Sequence, residues 1–142
     1  MKTFISSKNK FTLAVLWGLI LFLTAVLFIP KKETLTDLFV FYIVVIPVVV
    51  SLIWIVLETK YVIKENRVHY YSGPFRGKIE IDSIRKIEKY SGWIVPVTNK
   101  PALGNNGLII SYNKFDTIYL SPKLEKEFIE VVLKVNPSIE IG

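Results

Sequence analysis

One histidine and no cysteine bound the chemistry open to this chain of 142 residues. Without a thiol there is no cysteine nucleophile and no disulfide framework, and a single imidazole leaves a serine triad without alternatives. That imidazole, His69, alternates with Val68 and Tyr70 in a segment that reads as a strand, where an ordinary strand residue is its plainest role. Asp82 precedes Ser83 in one turn and Asp116 lies in another, which suits turn formation. Glu125, Glu127 and Glu130 stand among lysines on a helical stretch, the pattern of a solvated face with charge pairs. Gly73, Gly77, Gly92, Gly104 and Gly107 form no phosphate-cradling motif, and none precedes Lys-Ser or Lys-Thr. The residues predict no catalytic site, no cofactor and no metal centre.

What remains is suited to contact rather than turnover. Trp93, Ile94 and Val95, followed by Pro96 and Val97, form an apolar cluster in an irregular stretch from Ser91 to Gly107. Two uses fit such a loop: capping a small core, or meeting lipid or a partner. Arg76 and Lys78, with Arg85, Lys86 and Lys89, have the makings of a lipid-phosphate patch. Ordinary solvated strand and turn charge is the plainer account of them. The net charge is +6, but the part from Glu58 onward holds 13 cationic and 10 acidic residues. That balance is too thin for a nucleic-acid face, and no small-molecule substrate is evident.

The elements that must position these residues fall into two halves. Phe11 to Ile29 and Leu38 to Leu57 contain no charged residue. At a rise of about 1.5 Å per residue, each spans the ~30 Å hydrocarbon core of a bilayer. The first run is longer than a signal-peptide core and ends in Phe28-Ile29-Pro30-Lys31-Lys32, without a small-x-small cleavage pattern. It reads as a retained helix. Pro30 should end it, and Thr34, Thr36 or Asp37 should cap the second, making an antiparallel hairpin. Lys2, Lys8 and Lys10 on one flank and Lys60, Lys64 and Arg67 on the other outnumber Lys31 and Lys32 in the connection. The bias places both termini in the cytoplasm and the chain in the inner (cytoplasmic) membrane. Pro47 should kink the second helix, with tolerated packing a plainer account than a hinge. Trp54 and Tyr61 fall where interfacial rings sit, and Gly18 and Ala25 leave room for a neighbouring helix. The absence of intramembrane charge speaks against an ion path.

Beyond the helices the pattern alternates. Tyr61 to Lys64 and Arg67 to Tyr71, joined by Glu65-Asn66, predict a tight hairpin. Lys78 to Ile81 is a strand, and Ile84 to Tyr90, after a turn, is best read as another. Leu108 to Tyr112 and Thr117 to Leu120 form a further hairpin. Ser121-Pro122 looks like a helix start, with Leu124, Phe128, Val131, Val132 and Val135 as its apolar stripe and Asn136-Pro137 as its stop. The class is α+β: a tail and hairpin over 1–58, with helices about 11–29 and 38–57, and a cytoplasmic domain over 59–142.

The segment Thr59 to Ile141 resembles the bacterial pleckstrin-homology-like (bPH) domains that follow two transmembrane helices in small membrane proteins. The likeness rests on the opening Thr59-Lys60-Tyr61-Val62-Ile63, on Ile79-Glu80-Ile81 with Ile84 and Ile87, and on the closing block. That block runs from Ala102-Leu103-Gly104 through Leu108 to Tyr112 and Thr117 to Pro122, and ends in Phe128-Ile129. The resemblance implies a partly open antiparallel barrel or strongly bent sheet plugged by a C-terminal helix. The segment is short for seven strands, so one or two should be missing or very short. It also implies a non-enzymatic binding or scaffold module facing the cytoplasm, with the bilayer and a protein as partners. The alternative is an accessory subunit of a larger membrane complex, anchored through its helices. One relative in this group is a bacteriocin immunity protein, but no immunity motif is present to carry over.

Overall fold

The computed structural model describes residues 1–29 and 32–142, so the expected stop at Pro30 and the cation Lys31 lie outside the described residues. Two helices, α1 (Lys10–Leu27) and α2 (Leu35–Leu57), form the hairpin. Asn9 caps α1, its side-chain oxygen accepting from Phe11 N at 2.8 Å. Thr34 caps α2, accepting from Asp37 N at 3.3 Å. Leu13, Leu16, Ile20 and Leu23 of α1 meet Val45, Val49, Leu52, Ile53 and Val56 of α2 along one seam. The Tyr42 hydroxyl donates to Leu27 O at 3.0 Å. Both helices are long and apolar enough to cross a membrane, and their outer faces leave residues such as Phe22 and Phe39 exposed. Pro47 sits inside α2, which continues through it.

The first strand is one the sequence hid. Residues Lys2–Ile5 form β1, which pairs antiparallel with β2 (Thr59–Lys64), Phe4 opposite Tyr61. β2 turns into β3 (Arg67–Ser72) through Glu65 and Asn66, both at positive φ, as the primed two-residue hairpin requires. β3 turns into β4 (Phe75–Glu80) through Gly73, whose φ is +57°. A Cβ there would meet Ile55 Cγ1 at 2.7 Å, so the turn sits directly on the end of α2. The sheet order is β1-β2-β3-β4.

A single 3-10 turn, Ile81–Ser83, passes the chain to a second sheet. Its order is β7-β6-β5-β8, built from β5 (Ile84–Ser91), β6 (Asn106–Tyr112), β7 (Asp116–Leu120) and a two-residue parallel β8 (Glu140–Ile141). Helix α3 (Glu125–Val135) packs between the sheets. Phe128 and Val132 are fully buried, with Phe4 edge-on to Phe128 at 5.3 Å between centroids. The result is an α+β chain of two long apolar helices and two sheets. Among the described residues the sheets do not close into a barrel. Just past β7, the Lys123 N–H donates to Ile5 O of β1 at 2.9 Å.

Three local expectations are corrected. Ser121 is not the cap of α3, which starts at Glu125 with no side-chain cap. Its hydroxyl instead lies 2.9 Å from Ser6 Oγ and accepts from Gly104 N at 3.2 Å, while its N–H donates to the Tyr61 hydroxyl at 3.1 Å. Leu124 is not part of the buried stripe and is 58% exposed, because the helix begins one residue after it. Tyr61 is a core residue and not an interfacial ring: its register opposite Phe4 and Tyr70 turns it inward.

Candidate interaction surface

The domain has two ends. β2 leaves α2 and runs away from it, β3 returns, β4 runs away again and β5 comes back. The helix-facing end thus gathers Glu58–Lys60, Ser72–Arg76, the 91–106 segment, Ser121–Lys123 and the stretch entering α1.

The 91–107 segment divides in use. Its second half closes the core: Pro101, Leu103 and Gly104 are buried, and Pro101 O accepts from the Tyr61 hydroxyl at 2.8 Å. Asn9 N donates to Leu103 O at 3.2 Å, which fastens the entry of α1 to this loop. Its first half stays outside. Trp93 is 64% and Ile94 84% exposed, with Val95 half-buried. The Tyr90 hydroxyl donates to Ile94 O and holds the loop against the sheet end. Trp93 then meets Phe11, in the first turn of α1, edge-on at 4.8 Å between centroids. Phe75, the first residue of β4, is exposed at the same end. Three large apolar side chains of the domain therefore stand around the base of the helical hairpin.

Arg76 is drawn into a cluster at the end of α2. Its guanidinium lies over the Trp54 ring at 5.1 Å and the Tyr71 ring at 5.5 Å. Its Nε donates to Gly73 O at 3.3 Å, and its Nη2 is 3.8 Å from Glu58 Oε2. Glu58 also accepts from Trp54 Nε1 at 2.5 Å and pairs with Lys60 at 2.9 Å. Those two hydrogen bonds, the indole first, hold its carboxyl below the usual carboxylate range. Lys78 lies two residues further along the same outer face, opposite His69. Met1, Thr3, Lys60, Val62, His69 and Tyr71 line part of an open concavity of about 500 Å³ on this face. Its charge is largely spent internally, since Lys60, Lys64 and Arg76 each face a glutamate.

Arg85 and Lys86 do not join Arg76 and Lys78. They open β5 at the end of the domain away from the helices, four strand steps or ~13 Å along β4 from Arg76. Arg85 donates to Lys114 O at 2.8 Å, and Lys86 pairs with Glu88 at 2.9 Å. The sequence offered five nearby cations, and the reversal at the 3-10 turn leaves Arg76 and Lys78 on the first sheet and Arg85, Lys86 and Lys89 on the second.

A second set went unnoticed in sequence. Lys8, Lys10 and Lys123 surround another concavity, of about 530 Å³, with Asn9, Asn105 and Asn106 on its wall. Two of these lysines precede α1 or open it, and the third follows β7. Nothing in their spacing joins them until β1 is placed in the sheet.

The family model for the bacterial PH domain matches residues 59–136. This chain belongs to the bacterial PH domain family. The matched segment runs from β2 through α3 and indicates no enzymatic family. No curated protein and no solved structure matches the chain. The PH domain's first sheet is extended by β1, from outside the matched segment, and so are the walls of the second concavity through Lys8 and Lys10. Trp93 and Arg76 lie inside it, while Phe11 and Trp54, which they touch, lie outside.

Proposed function

We propose that this protein is a membrane-anchored, non-enzymatic PH-domain platform, held against the cytoplasmic face of the inner membrane, that engages a protein partner or the membrane surface. One observation carries it. β1 precedes α1 and β2 follows α2, yet the two pair in one sheet. If the hairpin spans the bilayer, its two flanks must lie on one side, and the excess of flanking lysines favours the cytoplasm. Pairing of β1 also supports a retained α1, because cleavage would remove the strand.

The exposed loop supports the engaged surface. Trp93, edge-on to Phe11, and the exposed Ile94 stand with Phe75 at the end of the domain where α1 begins and α2 ends. Indole and aliphatic side chains in that plane suit the headgroup region or an apolar partner. Protection against a bacteriocin is one version of such a role, drawn from the resemblance and from no residue here. A second reading, an accessory subunit docked through its helices, is favoured by Gly18, which has nothing within 4 Å of a Cβ and lies off the α1–α2 seam.

The natural absence of cysteine makes the test direct. Single substitutions Thr3→Cys, Glu33→Cys and Lys126→Cys are exposed to a membrane-impermeant maleimide in spheroplasts and after lysis. Labelling of Glu33→Cys alone in intact spheroplasts is expected. Reaction of Lys126→Cys before lysis, or different sidedness for Thr3→Cys and Lys126→Cys, would refute the reading.

A further inference from the structure

We propose that the concavity beside the first turn of α1, bordered by Lys8, Lys10 and Lys123, docks the phosphate headgroups of anionic phospholipids. The proposal rests on the membrane-anchored reading above and names the ligand class of one site within it.

The charge argument separates this concavity from the other. On the outer face of β2–β4, most cations are matched by Glu58, Glu65 or Glu80. Lys8, Lys10 and Lys123 have no ion-pair partner among the described residues. Glu125 is the single carboxylate on the wall, so three ammonium groups face one negative charge. A dianionic or monoanionic phosphate restores balance there, and the side chains of Asn105 and Asn106 offer amide donors.

The lysines are placed by backbone and do not trail in solvent as a loose tail. Ser7 N donates to Ser121 O at 2.6 Å, Asn9 N to Leu103 O at 3.2 Å, and Lys123 N to Ile5 O at 2.9 Å. These three bonds fix the 7–10 and 121–123 segments to each other and to the 103–104 loop. A shared ligand therefore pays no further backbone ordering.

Position decides for a lipid over a free anion. Lys10 is the first residue of α1, and Phe11 follows it against Trp93. The cations and the exposed apolar rim lie side by side at the depth where an apolar helix gives way to polar chain. A phospholipid presents phosphate and acyl chain in that same arrangement, whereas a free phosphate has no use for the rim.

The test uses the full chain in neutral micelles, titrated with phosphatidylglycerol and phosphatidylcholine and read by native mass spectrometry. Phosphatidylglycerol should be retained in preference. A juxtamembrane lysine is worth roughly fivefold in affinity, so Lys8→Gln with Lys123→Gln should weaken it about 25-fold. Lys64→Gln with Lys114→Gln, at the far end of the domain, should leave it unchanged. The urea midpoint of each double variant is measured alongside. If the first pair has lost its fold, Lys10→Gln alone, exposed at the helix entry, takes its place with an expected fivefold loss. Equal retention of both lipids, no loss in the lysine variants, or full competition by inorganic phosphate at the concentration of the lipid would overturn the proposal. Maleimide sidedness is measured independently, so failure here is distinguishable from failure of the anchoring reading.

Discussion

Truncation of Phe4 tests whether a strand lying before the apolar helical hairpin is a working part of a domain that lies after it. Phe4 is 3% exposed and edge-on to Phe128, which in turn packs on Tyr61 with centroids 6.5 Å apart. Phe4→Ala removes one ring from this trio and leaves a cavity between β1 and α3, at a cost of about 3–5 kcal/mol. The 84 residues from Thr59 to Gly142 give a domain whose whole stability is roughly 4–13 kcal/mol. The substitution should thus remove a large share of it. With a urea slope of about 1–2 kcal/mol per molar for a domain this small, the midpoint should fall by roughly 1.5–5 M. The full chain in nanodiscs is the sample, and near-ultraviolet circular dichroism is the signal. Ile5→Ala is the matched control: Ile5 is the next residue on the same strand, 60% exposed on the opposite face. It should change stability by about 0.5 kcal/mol or less. Equal midpoints for the two variants would show that β1 is not part of the folded domain, and the one-sided hairpin argument would fall with it.

Gly73→Ala should destabilise the junction of α2 and the sheet by about 1–3 kcal/mol, since it combines a positive φ with a Cβ 2.9 Å from the Ile55 backbone N. Gly92→Ala, whose nearest neighbour is the Tyr90 side chain at 3.0 Å and whose φ is not positive, should cost less in the same urea titration. Tyr61→Phe removes the acceptor of Ser121 N and the donor to Pro101 O from a buried cluster, so thermal unfolding should report a loss of about 1–3 kcal/mol. Stability should fall above pH ~10. Burial raises the Tyr61 phenol and pushes Tyr119 up to about 12, so the folded state keeps protons that the unfolded state has lost. The stabilisation is complete below the unfolded tyrosine range and is lost as pH rises through about 12. A urea midpoint that is flat between pH 9 and 11.5 would contradict it.

Much of the scaffold was legible because its signals are local. The Glu65-Asn66 turn lies between two alternating segments, so β2 and β3 could be paired and registered from a dozen residues. The apolar runs fixed α1 and α2 to within a few residues by length alone. What escaped was non-local. Lys2-Thr3-Phe4-Ile5 has no turn and no neighbouring partner; its partner lies beyond two helices, and only the slot beside β2 and above Phe128 makes those four residues a strand. Ser121 followed by Pro122 is a sound cap signal, but the buried hydroxyl of Ser6 competes for it, and Ser6 arrives only with β1.

The same dependence governs the interaction surface. In sequence, Arg76 and Arg85 look like neighbours and Lys8 and Lys123 look unrelated. A six-residue strand carries the first pair to opposite ends of the domain, and one antiparallel pairing brings the second pair to a common concavity. Lys8 and Lys10 read fully as orientation signals for a membrane helix, which left no reason to ask more of them. Once β1 is in the sheet they are also wall residues of the PH domain, held by hydrogen bonds to Ser121 and Leu103 from the residues beside them. Charge that flanks the helical hairpin is thereby available for recognition. Charge at positions 8 and 10 should therefore affect topology and headgroup selectivity separately, whereas Lys123, outside the hairpin's flanks, should affect selectivity alone.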